Sequence, residues 1–146
     1  MKMKFTLGFT EKERLEITVM GYACESYDNE YDANWLNAST SIVSGGFEGR
    51  ITLMILAPEL SLFASGISKL YEQLDGEAEF KTMEDQLYIR CRGDGLGHIA
   101  VTGYIRDAVG TGYNTLNYEL ALDQTQLKRT IDELDKVLKE YPERKV

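Results

Sequence analysis

The chain has 146 residues, 43% of them apolar, a net charge of −8 and only two prolines. That is enough apolar material for one cored domain spanning residues 1–146, and it argues against a disordered or proline-linked chain. The acid excess argues against a nucleic-acid binder, which needs Lys and Arg for phosphates, and no apolar run approaches the roughly 18–20 residues of a membrane helix.

The first residues, MKMKFTLGFTEKER, carry charge without the apolar centre of a signal peptide, so a cytoplasmic location is expected. Cys24 and Cys91 then read as reduced thiols that could meet across a sheet without fixing a disulfide framework. Residues 3–9 alternate polar and apolar. RLEITVMGYA follows with Leu15, Ile17 and Val19 on one face, the period of a strand. ESYDNEYDAN, residues 25–34, reads as a polar loop. WLNASTSIV is a third strand, Ser44-Gly45-Gly46 a turn, and FEGRITLMIL a fourth strand. The period then changes. Pro58 suits a first helical turn, and Leu60, Phe63, Ile67, Leu70 and Leu74 form one helical stripe ending near Gly76. GEAEFKT, DQLYIRCR, HIAVTGYIRDAV and TLNYELAL are four further strands with short connections, as in antiparallel hairpins. Asp123-Gln-Thr-Gln126 has the form of a capping box, and Leu127, Ile131, Leu134, Leu138 and Tyr141 make the stripe of a last helix.

Four strands, a helix, four strands and a helix predict an α+β fold. The expected antiparallel sheet of about eight strands is strongly curved or split in two, with two covering helices.

The charge is unevenly spread. Residues 25–85 carry twelve acids against Arg50, Lys69 and Lys81, a balance of −9. Such a section favours basic partners, or serves solubility alone. Within it, Tyr27, Asp28, Glu30, Tyr31 and Asp32 mix acids with tyrosines and hold no base, a composition suited to contacting a basic protein as well as to a solvated loop.

Other candidate sites are weaker. GDGLGHIAV, residues 93–101, holds the only histidine, yet it fits neither a Walker loop nor a dinucleotide loop. Asp94-Gly95 is instead a hairpin signal. As a general base His98 would need Asp94 or Asp107 as an orienting partner. Cys91 lies on the apolar side of its strand, where a thiol is inert. No zinc, calcium-loop or nucleophile-elbow pattern is present, so no catalytic residue, metal or cofactor is expected.

Three stretches in this order and spacing resemble the WapI-type immunity proteins: Asp32-Ala-Asn-Trp-Leu36, Gly97-His-Ile99 and Asp123-Gln-Thr-Gln-Leu127. The resemblance covers about residues 30–142. It implies a non-enzymatic bacterial protein that binds and blocks a contact-dependent toxin domain, often a basic nuclease. It also implies structural roles for Trp35 and Leu36 as core, Gly97 as turn and Asp123 as helix cap. The expected partner is a basic toxin domain, with no nucleic acid or membrane involved. The alternatives are a small-molecule binding module, a homodimeric domain and, behind these, a hydrolase using His98.

Overall fold

The computed structural model describes residues 2–146. Four strands, β1 (Met3–Leu7), β2 (Glu13–Tyr22), β3 (Trp35–Ser44) and β4 (Phe47–Leu56), form one antiparallel sheet in sequence order. Helix α2 (Ala57–Gln73) then leads to β5 (Asp75–Lys81), β6 (Leu87–Asp94), β7 (His98–Arg106) and β8 (Thr115–Asp123), a second sheet of the same kind. Helix α3 (Gln124–Glu140) follows β8 directly. The expected sheet is therefore split in two, and each four-strand meander runs straight into a helix.

Alternation gives each sheet one apolar face. Leu15, Ile17 and Val19 of β2 and Leu36, Ala38 and Ile42 of β3 are buried from the first sheet. Ile89 and Cys91 of β6 and Leu120 and Leu122 of β8 are buried from the second. These faces join in one continuous apolar core. Phe63 of α2 links them, with ring centroids 6.3 Å from Phe5 and 5.4 Å from Phe80. Each such large side chain contributes about 1.5–3 kcal/mol on burial.

The helices exchange sheets. α2 packs along β5, the first strand of the second sheet, and α3 packs along β1 and against α2. The caps are as the sequence implies for α3: Asp123 accepts from the Gln126 N–H at 2.9 Å, and Gln126 accepts from the Asp123 N–H at 3.0 Å. At α2, Glu59 accepts from the Leu56 N–H at 2.7 Å. That helix ends two residues earlier than its glycine suggests. Leu74, not Gly76, takes the left-handed cap conformation at φ 61°.

One element departs from expectation. The polar stretch contains a single helical turn, α1 (Glu30–Asn34), started by Asn29, whose side chain accepts from the Asp32 N–H at 2.9 Å. Glu30 and Asp32 complement the positive end of that turn.

Candidate functional site

The stretch singled out by composition lies between β2 and β3. Glu25, Asp28, Glu30 and Tyr31 are exposed, while Tyr27 and Asp32 are half-buried. Asp32 is partly committed to local structure, because its Oδ2 accepts from the Asn29 side-chain amide at 3.0 Å. Trp35 is half-buried, whereas Leu36 is fully in the core. The expectation of both as core holds for Leu36 alone.

What holds this segment comes from the far end of the chain. Arg144 donates from Nε to the Ala33 carbonyl at 2.6 Å and from Nη2 to the Cys24 carbonyl at 2.9 Å. Its guanidinium lies 3.6 Å from the Tyr22 ring centroid and 4.3 Å from that of Tyr27. Buried Asn34 completes the clamp. Its Oδ1 accepts from the Arg144 N–H at 2.8 Å, and its Nδ2 donates to the Arg144 carbonyl at 3.0 Å. Tyr22 donates to the Pro142 carbonyl. A planar, always-charged fork suits this task, since one side chain both stacks on rings and donates to two carbonyls.

Of the twelve acids of residues 25–85, two, Glu77 and Asp85, are in ion pairs among the described residues. Glu77 is paired with Arg90 at 2.6 Å and Arg92 at 3.0 Å, and its carboxyl is held below the usual range by the Arg90 hydrogen bond. Asp85 accepts from Tyr104 and Arg106, and the Tyr104 hydrogen bond is the main cause of its lowered pKa. Among the described residues, Glu25, Asp28, Glu30, Asp32 and Glu84 enter no ion pair within 4.0 Å.

The turn Met83–Asp85 sits beside α1. Tyr31, Glu30, Pro58 and Met83 line a hollow of about 300 Å³. Next to it, Met20, Met54, Asn37, Glu84 and Val109 line a hollow of about 560 Å³ at one end of the first sheet. A further hollow of about 620 Å³ lies on the second sheet among Tyr88, Thr102, Tyr104, Asn117 and the exposed Phe47.

GDGLGHIAV is the hairpin between β6 and β7. Gly95 and Gly97 have φ of 85° and 101°, the left-handed region that glycine adopts without strain. Asp94 organises the turn, accepting from the Leu96 N–H at 2.7 Å and lying 2.8 Å from Nδ1 of His98. The Leu96 bond chiefly lowers the Asp94 pKa, with the His98 bond next. The His98 side chain is 79% exposed and lines none of the five main hollows. Asp107, its other candidate partner, is instead bound to Asn114 at 2.7 and 2.9 Å. Cys24 and Cys91 are both free, and burial pushes the Cys91 thiol up to about 12. Among the described residues no group of three or more His, Cys, Asp or Glu could hold a metal ion, and no helix is long and apolar enough to cross a membrane.

Sequence reasoning missed Arg144 and the neighbouring methionines. The clamp joins positions 110 residues apart, which no local pattern reveals. Alternation with buried Val19 puts Met20 on the outer face of β2, but the sequence does not show that it meets Met54 and Val109 there.

A family model described as the immunity protein WapI-like family matches residues 6–142. No curated protein and no solved structure matches.

Proposed function

The chain belongs to the family of WapI-like immunity proteins, and on that premise we propose that it binds and neutralises the toxin domain of a contact-dependent bacterial system. It does so in the cytoplasm, by occluding a basic toxin domain of the nuclease kind rather than by catalysis. Tyr27, Asp28, Glu30, Tyr31 and Asp32 are the proposed contacts. The observation that supports this most is the state of those carboxylates. They lie on a segment anchored by Arg144, beside a tyrosine that is 57% exposed, and among the described residues none enters an ion pair within 4.0 Å. Unpaired acids attract a cationic partner and speed its encounter, and an exposed tyrosine supplies contact area at low entropic cost.

The test is affinity for the C-terminal domain of any large secreted protein encoded beside this chain, measured at low and high salt. Binding should weaken with salt. Changing Asp28, Glu30 and Asp32 together to Lys should reduce affinity at low salt and flatten the salt dependence. Unchanged affinity at both salt concentrations would remove the segment from the interface.

A further inference from the structure

We propose that the interface continues past the acidic segment onto the first sheet. It would run along the apolar groove of Met20, Met54, Met83 and Val109, which seats a basic segment of the toxin domain by taking its aliphatic stems on methionine and its cationic heads on Glu30 and Glu84. This rests on the toxin-binding reading and says where, and by what chemistry, the contact is made.

Four observations carry it. The two hollows meet at one turn, whose consecutive residues Met83 and Glu84 line one each. Tyr31 and Met83 on the first hollow are 57% and 55% exposed, and Val109 and Met20 on the second are 51% and 37% exposed, so both hollows present apolar surface to solvent. Among the described residues, Glu30 and Glu84 are the only charged ones lining either hollow, and neither enters an ion pair within 4.0 Å. The groove is also built to keep its shape. The Glu59 carboxylate accepts from the Leu56 N–H at 2.7 Å, which fixes the start of α2 beside the first hollow. Gln86 donates to the Thr52 carbonyl at 3.4 Å and the Arg106 carbonyl at 3.1 Å, tying the turn of Met83 and Glu84 to both sheets.

The chemistry selects the occupant. Methionine is unbranched and polarizable and adapts to varied shapes, and Met and aromatic residues are enriched in interfaces. Lys and Arg side chains bury apolar stems while keeping the head charged and hydrated or paired. A surface that combines methionines with unpaired carboxylates therefore fits a basic segment better than a purely apolar one, whose docking would desolvate Glu30 and Glu84 without compensation.

The experiment measures binding of the full chain to the C-terminal domain of any large secreted protein encoded beside it, with Met83→Lys and Val109→Lys as probes. Both positions are exposed and lie outside strands and helices, so folding should be retained, and circular dichroism checks it. Leu62→Lys on α2 and Leu96→Lys at the β6–β7 turn, 76% and 82% exposed, are controls elsewhere on the surface. The expected result is a loss of at least about tenfold for each probe, as at a central interface position, and less than about twofold for each control. Wild-type binding with both probes unchanged would overturn the groove and leave the toxin-binding reading standing. Equal losses in probes and controls would overturn it as well, since the effect would then be of added charge in general. No binding by the wild-type chain would overturn both readings together.

Discussion

Replacing Arg144 by Ala should loosen the segment between β2 and β3 while leaving the two sheets intact. The side chain makes two charged hydrogen bonds to carbonyls, at 2.6 and 2.9 Å, and two ring contacts. Hydrogen bonds to charged groups contribute about 1.5–3 kcal/mol each, and exposed cation–π contacts about 0.5–1. The residue is half-buried, so water recovers much of this when the side chain is removed, and a net local loss of about 2 kcal/mol is expected. The assay is amide hydrogen exchange at Ala23, Ala33 and Trp35, whose N–H groups bond to Trp35, Asn29 and Tyr31 carbonyls. At 1.4 kcal/mol per decade, their exchange should accelerate about 30-fold, while amides in β6 and β7 keep their rates. Arg144→Lys should restore little, because a point charge cannot stack on two rings and reach two carbonyls at once. A change below about threefold in Arg144→Ala, or full rescue by Lys, would refute the clamp.

Three further outcomes follow from the geometry. A Cβ at Gly103 would lie 1.9 Å from the Tyr88 carbonyl oxygen and 2.5 Å from the Tyr118 hydroxyl, so Gly103→Ala should destabilise the fold by about 3 kcal/mol. This should appear as a lower urea midpoint at unchanged m. Asp85 has its pKa lowered in the fold, so its contribution is present above the unfolded value of about 3.9 and is lost as pH falls through the folded one. Thermal melts between pH 6 and pH 2 should therefore fall less steeply in Asp85→Asn than in the wild type. Glu133 accepts from the Thr6 N–H at 2.9 Å. Glu133→Ala should cost about 1–2 kcal/mol by leaving that donor unpaired, and Glu133→Gln should come close to wild type in the same denaturation assay.

The eight strands and two long helices could be read from the sequence because periodicity marks them locally. Leu15, Ile17 and Val19 are all fully buried, and the stripe Leu60, Phe63, Ile67 and Leu70 faces the core. The α3 cap was legible because a capping box is a contact between near neighbours. α1 has one turn and so no period, and only Asn29 followed by Asp32 marked it. The end of α2 was set by a distant strand: the Leu74 carbonyl accepts from the Gly95 N–H at 2.8 Å, which draws a leucine into the left-handed conformation at a cost of about 1–2 kcal/mol. The acidic composition of residues 25–85 was visible, but its division was not. Glu77 lies opposite Arg92 and Glu79 opposite Arg90 only once the β5–β6 register is known.

The edges of the two sheets constrain how such a chain meets a partner. An exposed edge invites strand addition, and here edge groups are taken up by side chains. On β1, the Thr6 N–H bonds to Glu133 and its carbonyl accepts from Thr130 at 2.6 Å. On β8, the Ala121 N–H bonds to Glu13 at 3.2 Å, and the Glu119 carbonyl accepts from Ser44 at 2.9 Å. On β4, the Thr52 carbonyl accepts from Gln86. A partner strand at any of these edges would have to break bonds that already exist, so side chains on faces and loops are the more accessible means of recognition. The exchange of helices has the same consequence. Because α3 is fixed along β1, residues 142–146 are delivered to the segment between β2 and β3, and Arg144 closes on it. The shape of that segment therefore depends on the second half of the chain as much as on its own residues.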